Sequence, residues 1–343
     1  MGPGRIGPRK APPAATLALA MPAAAYALRL DPFAPEYDAA IQLGETDAPV
    51  APVDVQVESA AWQAVRPGRA PAPDRVFFVD GVRRIEHRLF VETGEATFFG
   101  LLASFGVGAT RLAARSARVV GEQVERVLVV GGGERLPALE VAVPRGRAVL
   151  RFEPRVVPDN TPLAPVDGLQ RAMRESEACL GQDLGAAADL VFLDGPLSFL
   201  TTAAGPVVGY VKRLMRTYLQ PTAAGLLPRL GAGERTPLFL IQDRVPRYSW
   251  YLRLAHGRAI ESALAGVVRL ETSAQLALRD VQILADASCR LLPRLASDSA
   301  HDPRAPANLY PIGGLERHLR RLLGDSQIVR RAIELRLHQE ATA

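Results

Sequence analysis

Two short apolar segments of the sequence each end in an aspartate followed by a glycine. The first is RVFFVDG, which contains Asp80, and the second is LVFLDGP, which contains Asp194. Either Asp-Gly pair alone is typical of a turn, and for each one alone that interpretation is favoured. Together the segments predict two buried strands side by side, with both carboxylates at the sheet edge where α/β proteins hold ligands. Adjacent carboxylates repel each other unless a divalent cation lies between them, so the pair predicts a metal site.

A third acid comes from the segment that precedes the second strand. Residues 166–184 have apolar side chains at helical spacing. In this predicted helix Glu177 lies near the apolar face and Glu175 lies nearer solvent. Glu175 is the alternative acid, although a solvated helix charge is the favoured interpretation of it. For Glu177 the choice between a solvated charge and a site residue stays open.

Two further residues could act on a phosphate or a metal. Lys212 is one of two lysines in a chain that otherwise uses arginine, so a compact ammonium at this position could contact a phosphate or a metal-bound water. Chance is the equally weighted alternative. His318 could be a metal ligand or a general acid, or a histidine on the surface of an arginine-rich helix.

The surrounding elements predict a mixed α/β fold. Strands are predicted over 75–80, 84–92 and 96–107, with turns at Gly81 and around Gly94, so neighbouring strands form antiparallel hairpins. The glycines of 106–108 and of 131–133 are also interpreted as turns. Later strands alternate with helices, which favours a mixed sheet flanked by helices.

Composition excludes several classes of protein. The 343 residues carry a net charge of +5, which permits a nucleic-acid partner without requiring one. Two separated cysteines exclude a disulfide framework and a cysteine-rich zinc site, and predict a cytoplasmic location. No apolar run is long enough for a membrane span, and no GxxxxGK[ST] motif of a P-loop ATPase occurs. Residues 1–28 are predicted to be a flexible N-terminal arm.

Several stretches of the sequence together resemble the NurA family of nucleases, which partner the hexameric DNA-translocating ATPase HerA. The resemblance rests on the order of these stretches, and it covers the chain from about residue 30 onwards. The stretches are DPFAPEY, FFVDGVRRIEHRLF, LVFLDGPL, VVGYVKRLMRTYL, GERTPLFLIQ with YSWYLRL, and NLYPIGGLERHLRRLLGD. The resemblance implies a ribonuclease-H-like nuclease domain with insertions over residues 29–343.

The resemblance also implies a set of site residues. Two Mn²⁺ ions, or Mg²⁺ in their place, would share Asp80 and be held by the other acids and by a C-terminal histidine. The family pattern YPxxLxxAH places that histidine at His318, although here the leucine is displaced to Leu315 and Arg317 replaces the alanine. The implied metal ligands are Asp80, Glu177, Asp194 and His318, with Glu175 as the alternative acid, and the implied phosphate contacts are Lys212, Arg83 and Arg84.

The implied function is metal-dependent cleavage of single-stranded and double-stranded DNA. The family acts in DNA repair as a homodimer seated on its HerA-type ATPase, with no membrane. Phe33 and Tyr37 could form the docking segment, or they could be buried on their own domain. Two alternatives remain open: a non-catalytic ribonuclease-H-like DNA-binding scaffold, and an enzyme that acts on RNA or on RNA–DNA hybrids.

Overall fold

The computed structural model describes residues 26–30, 51–68, 73–94, 96–113, 116–144, 146–197, 205–212, 214, 218–258 and 260–342. Residues 1–25 of the predicted arm, together with Phe33 and Tyr37, lie outside the described residues. Tyr26–Leu30 forms a strand that pairs antiparallel with a strand of the central sheet. Within the described residues, no helix is long and apolar enough to cross a membrane.

The described part of the chain forms one twelve-stranded mixed sheet. The strands are β1 Tyr26–Leu30, β2 Val53–Asp54, β3 Val76–Thr93, β4 Ala96–Ala113, β5 Ser116–Val130, β6 Leu139–Ala142, β7 Val149–Val156, β8 Leu190–Asp194, β9 Val207–Val211, β10 Phe239–Ile241, β11 Arg247–Arg253 and β12 Val267–Ser273. Their order in the sheet is β2-β10-β11-β12-β9-β8-β3-β4-β5-β7-β6, and β1 pairs with β3 off this path.

The middle of the sheet determines the fold class. Strands β3, β4 and β5 pair antiparallel in chain order, whereas β8 pairs parallel to β3 and β9 parallel to β8. The prediction of a mixed α/β sheet with antiparallel hairpin strands and flanking helices is therefore confirmed.

Helices pack on both faces of the sheet. Helix α1 covers one face of β3, β4 and β8 with Leu169, Ala172 and Met173, and helix α4 rests on the opposite face through Leu315 and Leu319. The helices are α1 Ala164–Gly185, α2 Pro221–Ala224, α3 Leu278–Leu291, α4 Tyr310–Leu322 and α5 Ser326–Thr342, and short 3₁₀ turns occur at Leu227–Arg229 and Leu292–Leu295.

Two predicted turns are wrong. Gly81 lies inside the 18-residue strand β3, so the predicted strands 75–80 and 84–92 are one element. A Cβ atom at residue 81 would lie 2.5 Å from Glu177 Oε1 and 2.9 Å from Met173 Cγ, so the glycine lets α1 approach the strand. Gly106 and Gly108 lie inside β4, where a Cβ at residue 108 would lie 3.3 Å from Leu319 of α4. By contrast, 131–133 is a turn as predicted, and its last two glycines have positive φ.

Candidate active site

Asp80 lies at the centre of the site because the pairing of β3 with β8 fixes its position. Parallel pairing of Val79 with Leu193 brings Asp80 level with Asp194, one residue further along each strand. Asp80 is only 5% exposed, and its Oδ2 is buried without a hydrogen-bond partner. Burial, together with the charges of Asp194 and Glu177, raises the pKa of Asp80 well above its ordinary value.

A third carboxylate completes a cluster that could hold a cation. Each of Asp80, Asp194 and Glu316 offers one oxygen, and these oxygens lie within 4.8 Å of one another. Glu316 comes from α4, on the face of the sheet to which Asp80 also points. The sequence analysis missed it. The signal available was its position one helical turn after the buried Ile312, next to the apolar stripe that begins at Leu315.

The structure places His318 away from this cluster. His318 follows Glu316 by two residues, which separates their side chains by about 200° around α4. Its Nε2 lies 3.8 Å from Glu122 Oε1, on the side of strand β5. His318 is therefore not among the residues whose ligand atoms converge on Asp80.

The two candidate acids of α1 have different surroundings. Glu177 is 4% exposed, and its Oε2 accepts a hydrogen bond of 2.8 Å from Arg174 Nη1. Its Oε1 is buried close to Gly81 with no side-chain donor. Burial raises the pKa of Glu177 from 4.5 to about 7 despite the opposing effect of Arg174, and the charge of Asp194 adds to the rise. Glu175 is exposed to solvent.

Lys212 contacts the cluster directly. Its Nζ donates to Asp194 Oδ2 at 2.7 Å and to Asn308 Oδ1 at 2.9 Å. Arg304, from the loop before α4, donates two hydrogen bonds of 2.8 Å to the two carboxylate oxygens of Glu316. This fork-to-fork contact holds the pKa of Glu316 below its ordinary value, despite its partial burial.

Of the two arginines predicted to contact phosphate, Arg84 is hydrogen-bonded within the protein and Arg83 is exposed in a cleft. A cleft of about 550 Å³ lies over the carboxylates, and Arg83, Arg84 and Arg320 all line it. Arg84 donates to Glu86 at 3.0 Å and to the backbone oxygen of Gly324 at 2.8 Å, just after the end of α4. Arg83 and Arg320 are exposed side chains of the cleft wall. Arg320 is a further basic residue that the sequence analysis missed.

The donor set of this site fits a divalent cation. Four carboxylates lie at or beside one point, and two of them, Asp80 and Glu177, each keep a buried oxygen that no side chain satisfies. Buried acceptors without donors are costly, and hard cations such as Mg²⁺ and Mn²⁺ select carboxylate oxygens. A cation held by Asp80, Asp194 and Glu316 would satisfy the buried oxygen of Asp80.

Comparisons with known proteins give a likeness at the level of the fold. No protein-family profile and no curated protein sequence matches the chain. Among solved structures, the fold aligns with the crystal structure of the NurA nuclease from Sulfolobus solfataricus, with 11% sequence identity and a TM-score of 0.43. The alignment covers 81% of this chain and 88% of that one.

Proposed function

We propose that the protein is a metal-dependent nuclease that hydrolyses DNA phosphodiester bonds. The observation that carries this proposal is the convergence of Asp80, Asp194 and Glu316 at the base of a cleft whose walls carry exposed arginines. Carboxylates alone would repel a phosphate group. Carboxylates that hold a cation, beside free guanidinium groups, attract one.

Each part of the site has a role in this chemistry. Asp80, Asp194 and Glu316 would hold Mn²⁺ or Mg²⁺, with Glu177 beside them. Such a cation lowers the pKa of bound water and stabilises charge on the leaving oxygen. Arg83 and Arg320 would bind the DNA backbone from the two walls of the cleft. Arg304 and Arg174 hold Glu316 and Glu177 in fixed orientations.

A partner ATPase is also proposed, on the basis of the resemblance in sequence to the NurA family. The sequence contains no P-loop of its own, so a motor that moves DNA past the site would be a separate protein. We propose a HerA-type hexameric DNA translocase as that motor and a homodimer as the active form, in cytoplasmic DNA repair. The non-catalytic scaffold is the less favoured alternative, because a scaffold has no use for adjacent buried acids that cost stability.

The decisive experiment is cleavage of end-labelled single-stranded DNA, double-stranded DNA and RNA–DNA hybrid with Mn²⁺, Mg²⁺ or EDTA. We expect DNA cleavage that needs a divalent cation and that Asp80→Asn and Glu316→Gln abolish. Glu175→Gln, a change of the same type at an exposed position of α1, should keep full activity. Cleavage that persists in a folded Asp80→Asn protein would refute the assignment, and preference for the hybrid would identify a different substrate.

A further inference from the structure

Lys212 occupies a position between two groups that are typical cation ligands. Its ammonium donates to a carboxylate oxygen of Asp194 and to the amide oxygen of Asn308, at 2.7 and 2.9 Å. The side chains of Lys212 and Asp194 are each 17% exposed. Carboxylate and amide oxygens are the ligands that hard divalent cations select. The ammonium therefore engages two oxygens that the chain would otherwise offer to a metal.

The loop before α4 holds the ammonium in this place. Asn308 is fully buried, and its amide nitrogen donates to Asp302, so its oxygen is left to face Lys212. Asp302 in turn accepts a hydrogen bond from Arg304, the residue that grips both oxygens of Glu316. One network thus fixes both Lys212 and Glu316. These two contacts hold the Lys212 side chain in a fixed position within the site.

The ion pairs of the described residues leave Asp80 as the one acid of the site without a cationic partner. Arg174 pairs with Glu177, Lys212 pairs with Asp194, and Arg304 pairs with both Glu316 and Asp302. The Oδ2 atom of Asp80, by contrast, is buried and has no hydrogen-bond partner. Uncompensated charge in a buried site is costly, so the site needs one further cation, at Asp80.

We propose that Lys212 is the second cation of this site, so that the carboxylate cluster binds one divalent ion. The resemblance in sequence implies that the site binds two ions and that Lys212 contacts the phosphate. In the present proposal the ammonium instead neutralises Asp194 permanently and fixes that carboxylate toward the bound ion. The proposal rests on the proposed metal site, and it concerns the number of ions rather than the existence of the site.

The test is the stoichiometry of Mn²⁺ binding to the full chain without DNA, measured by titration calorimetry and by the electron paramagnetic resonance signal of free Mn²⁺. We expect one tight ion per wild-type chain and two per chain in Lys212→Met. Lys212→Arg keeps the positive charge and should bind one ion. Arg83→Met removes a cation of the same cleft that contacts none of the four carboxylates, and it should also bind one. Thermal melts confirm that each variant folds.

The outcomes separate this proposal from the proposed function. Two ions in the wild type would overturn it, and so would one ion in a folded Lys212→Met, because something other than the ammonium would then set the number. Equal Mn²⁺ binding by wild type and Asp80→Asn would instead show that the carboxylate cluster is not the metal site. That result would remove the proposed function itself.

Discussion

Replacing Glu177 by glutamine removes a buried charge and keeps an acceptor for Arg174. We therefore expect Glu177→Gln to stabilise the metal-free protein at alkaline pH while it impairs cleavage. The reason is the burial of the carboxyl, which raises its pKa from 4.5 to about 7 in the folded state. A carboxyl with a raised pKa in the folded state is more easily ionised in the unfolded chain. The folded protein therefore loses stability as the pH rises from 4.5 to 7.

The size of the effect follows from the shift in pKa. Each pKa unit corresponds to about 1.36 kcal/mol, so the ionised side chain costs the wild type about 3 kcal/mol at pH 8 and about 1 kcal/mol at pH 5. The attraction of Arg174 is already included in the net shift. For a chain of this length, 3 kcal/mol corresponds to a rise in melting temperature of about 5 °C.

The assay is urea unfolding of the wild type and of Glu177→Gln in EDTA at pH 5 and pH 8. Glu175→Gln is the matched control, since its carboxyl is exposed on the same helix, and it should leave the free energy of unfolding unchanged at both pH values. A variant that is no more stable than the wild type at pH 8 would refute the reasoning. A stabilisation of equal size at pH 5 and pH 8 would refute it as well, because ionisation could not then be the cause.

Three further tests address other parts of the structure. Gly81→Ala would place a methyl group against α1 and should lower the free energy of unfolding by about 2 kcal/mol. Gly314→Ala, in open space on α4, should instead raise it by up to about 1 kcal/mol, which is the cost of a glycine inside a helix. Urea unfolding of the two variants measures both effects. Glu316→Gln should weaken Mn²⁺ binding at least about tenfold and His318→Ala by less than about twofold, measured by calorimetry, and the reverse order would contradict the geometry. Glu86→Gln should lower the free energy of unfolding by about 3 kcal/mol, because it removes the buried carboxylate that pairs with the half-buried Arg84 and Arg126. A neutral effect on unfolding would count against that network.

Local sequence was enough to predict which strands meet at the site. The apolar runs before Asp80 and Asp194 predicted buried neighbouring strands, and the structure pairs them in parallel with the aspartates level. The amphipathic spacing of α1 likewise separated buried Glu177 from exposed Glu175. These features depend on side-chain periodicity within one element, which the sequence records directly.

Features that depend on contacts between distant elements were not predictable in this way. Gly81 has the sequence signature of a turn, but the glycine is needed because α1 packs against the middle of a continuous strand. The position of the Glu316 carboxylate depends on how α4 packs across the sheet, and the residues next to Glu316 in the sequence do not determine that packing. Arg84 was predicted to contact phosphate, yet Glu86 and the end of α4 take up its donors.

The four carboxylates come from four elements, of which α1 and β8 are consecutive while β3 and α4 lie far from them in the order of the chain. Strand β3 supplies Asp80, α1 supplies Glu177, β8 supplies Asp194, and α4 supplies Glu316. In the proposed metalloenzyme, a chain whose sheet has formed but whose α4 has not docked would hold the first three acids together without Glu316. Cation binding would then be coupled to the docking of α4, and hydrolysis would begin only in chains that have completed that step.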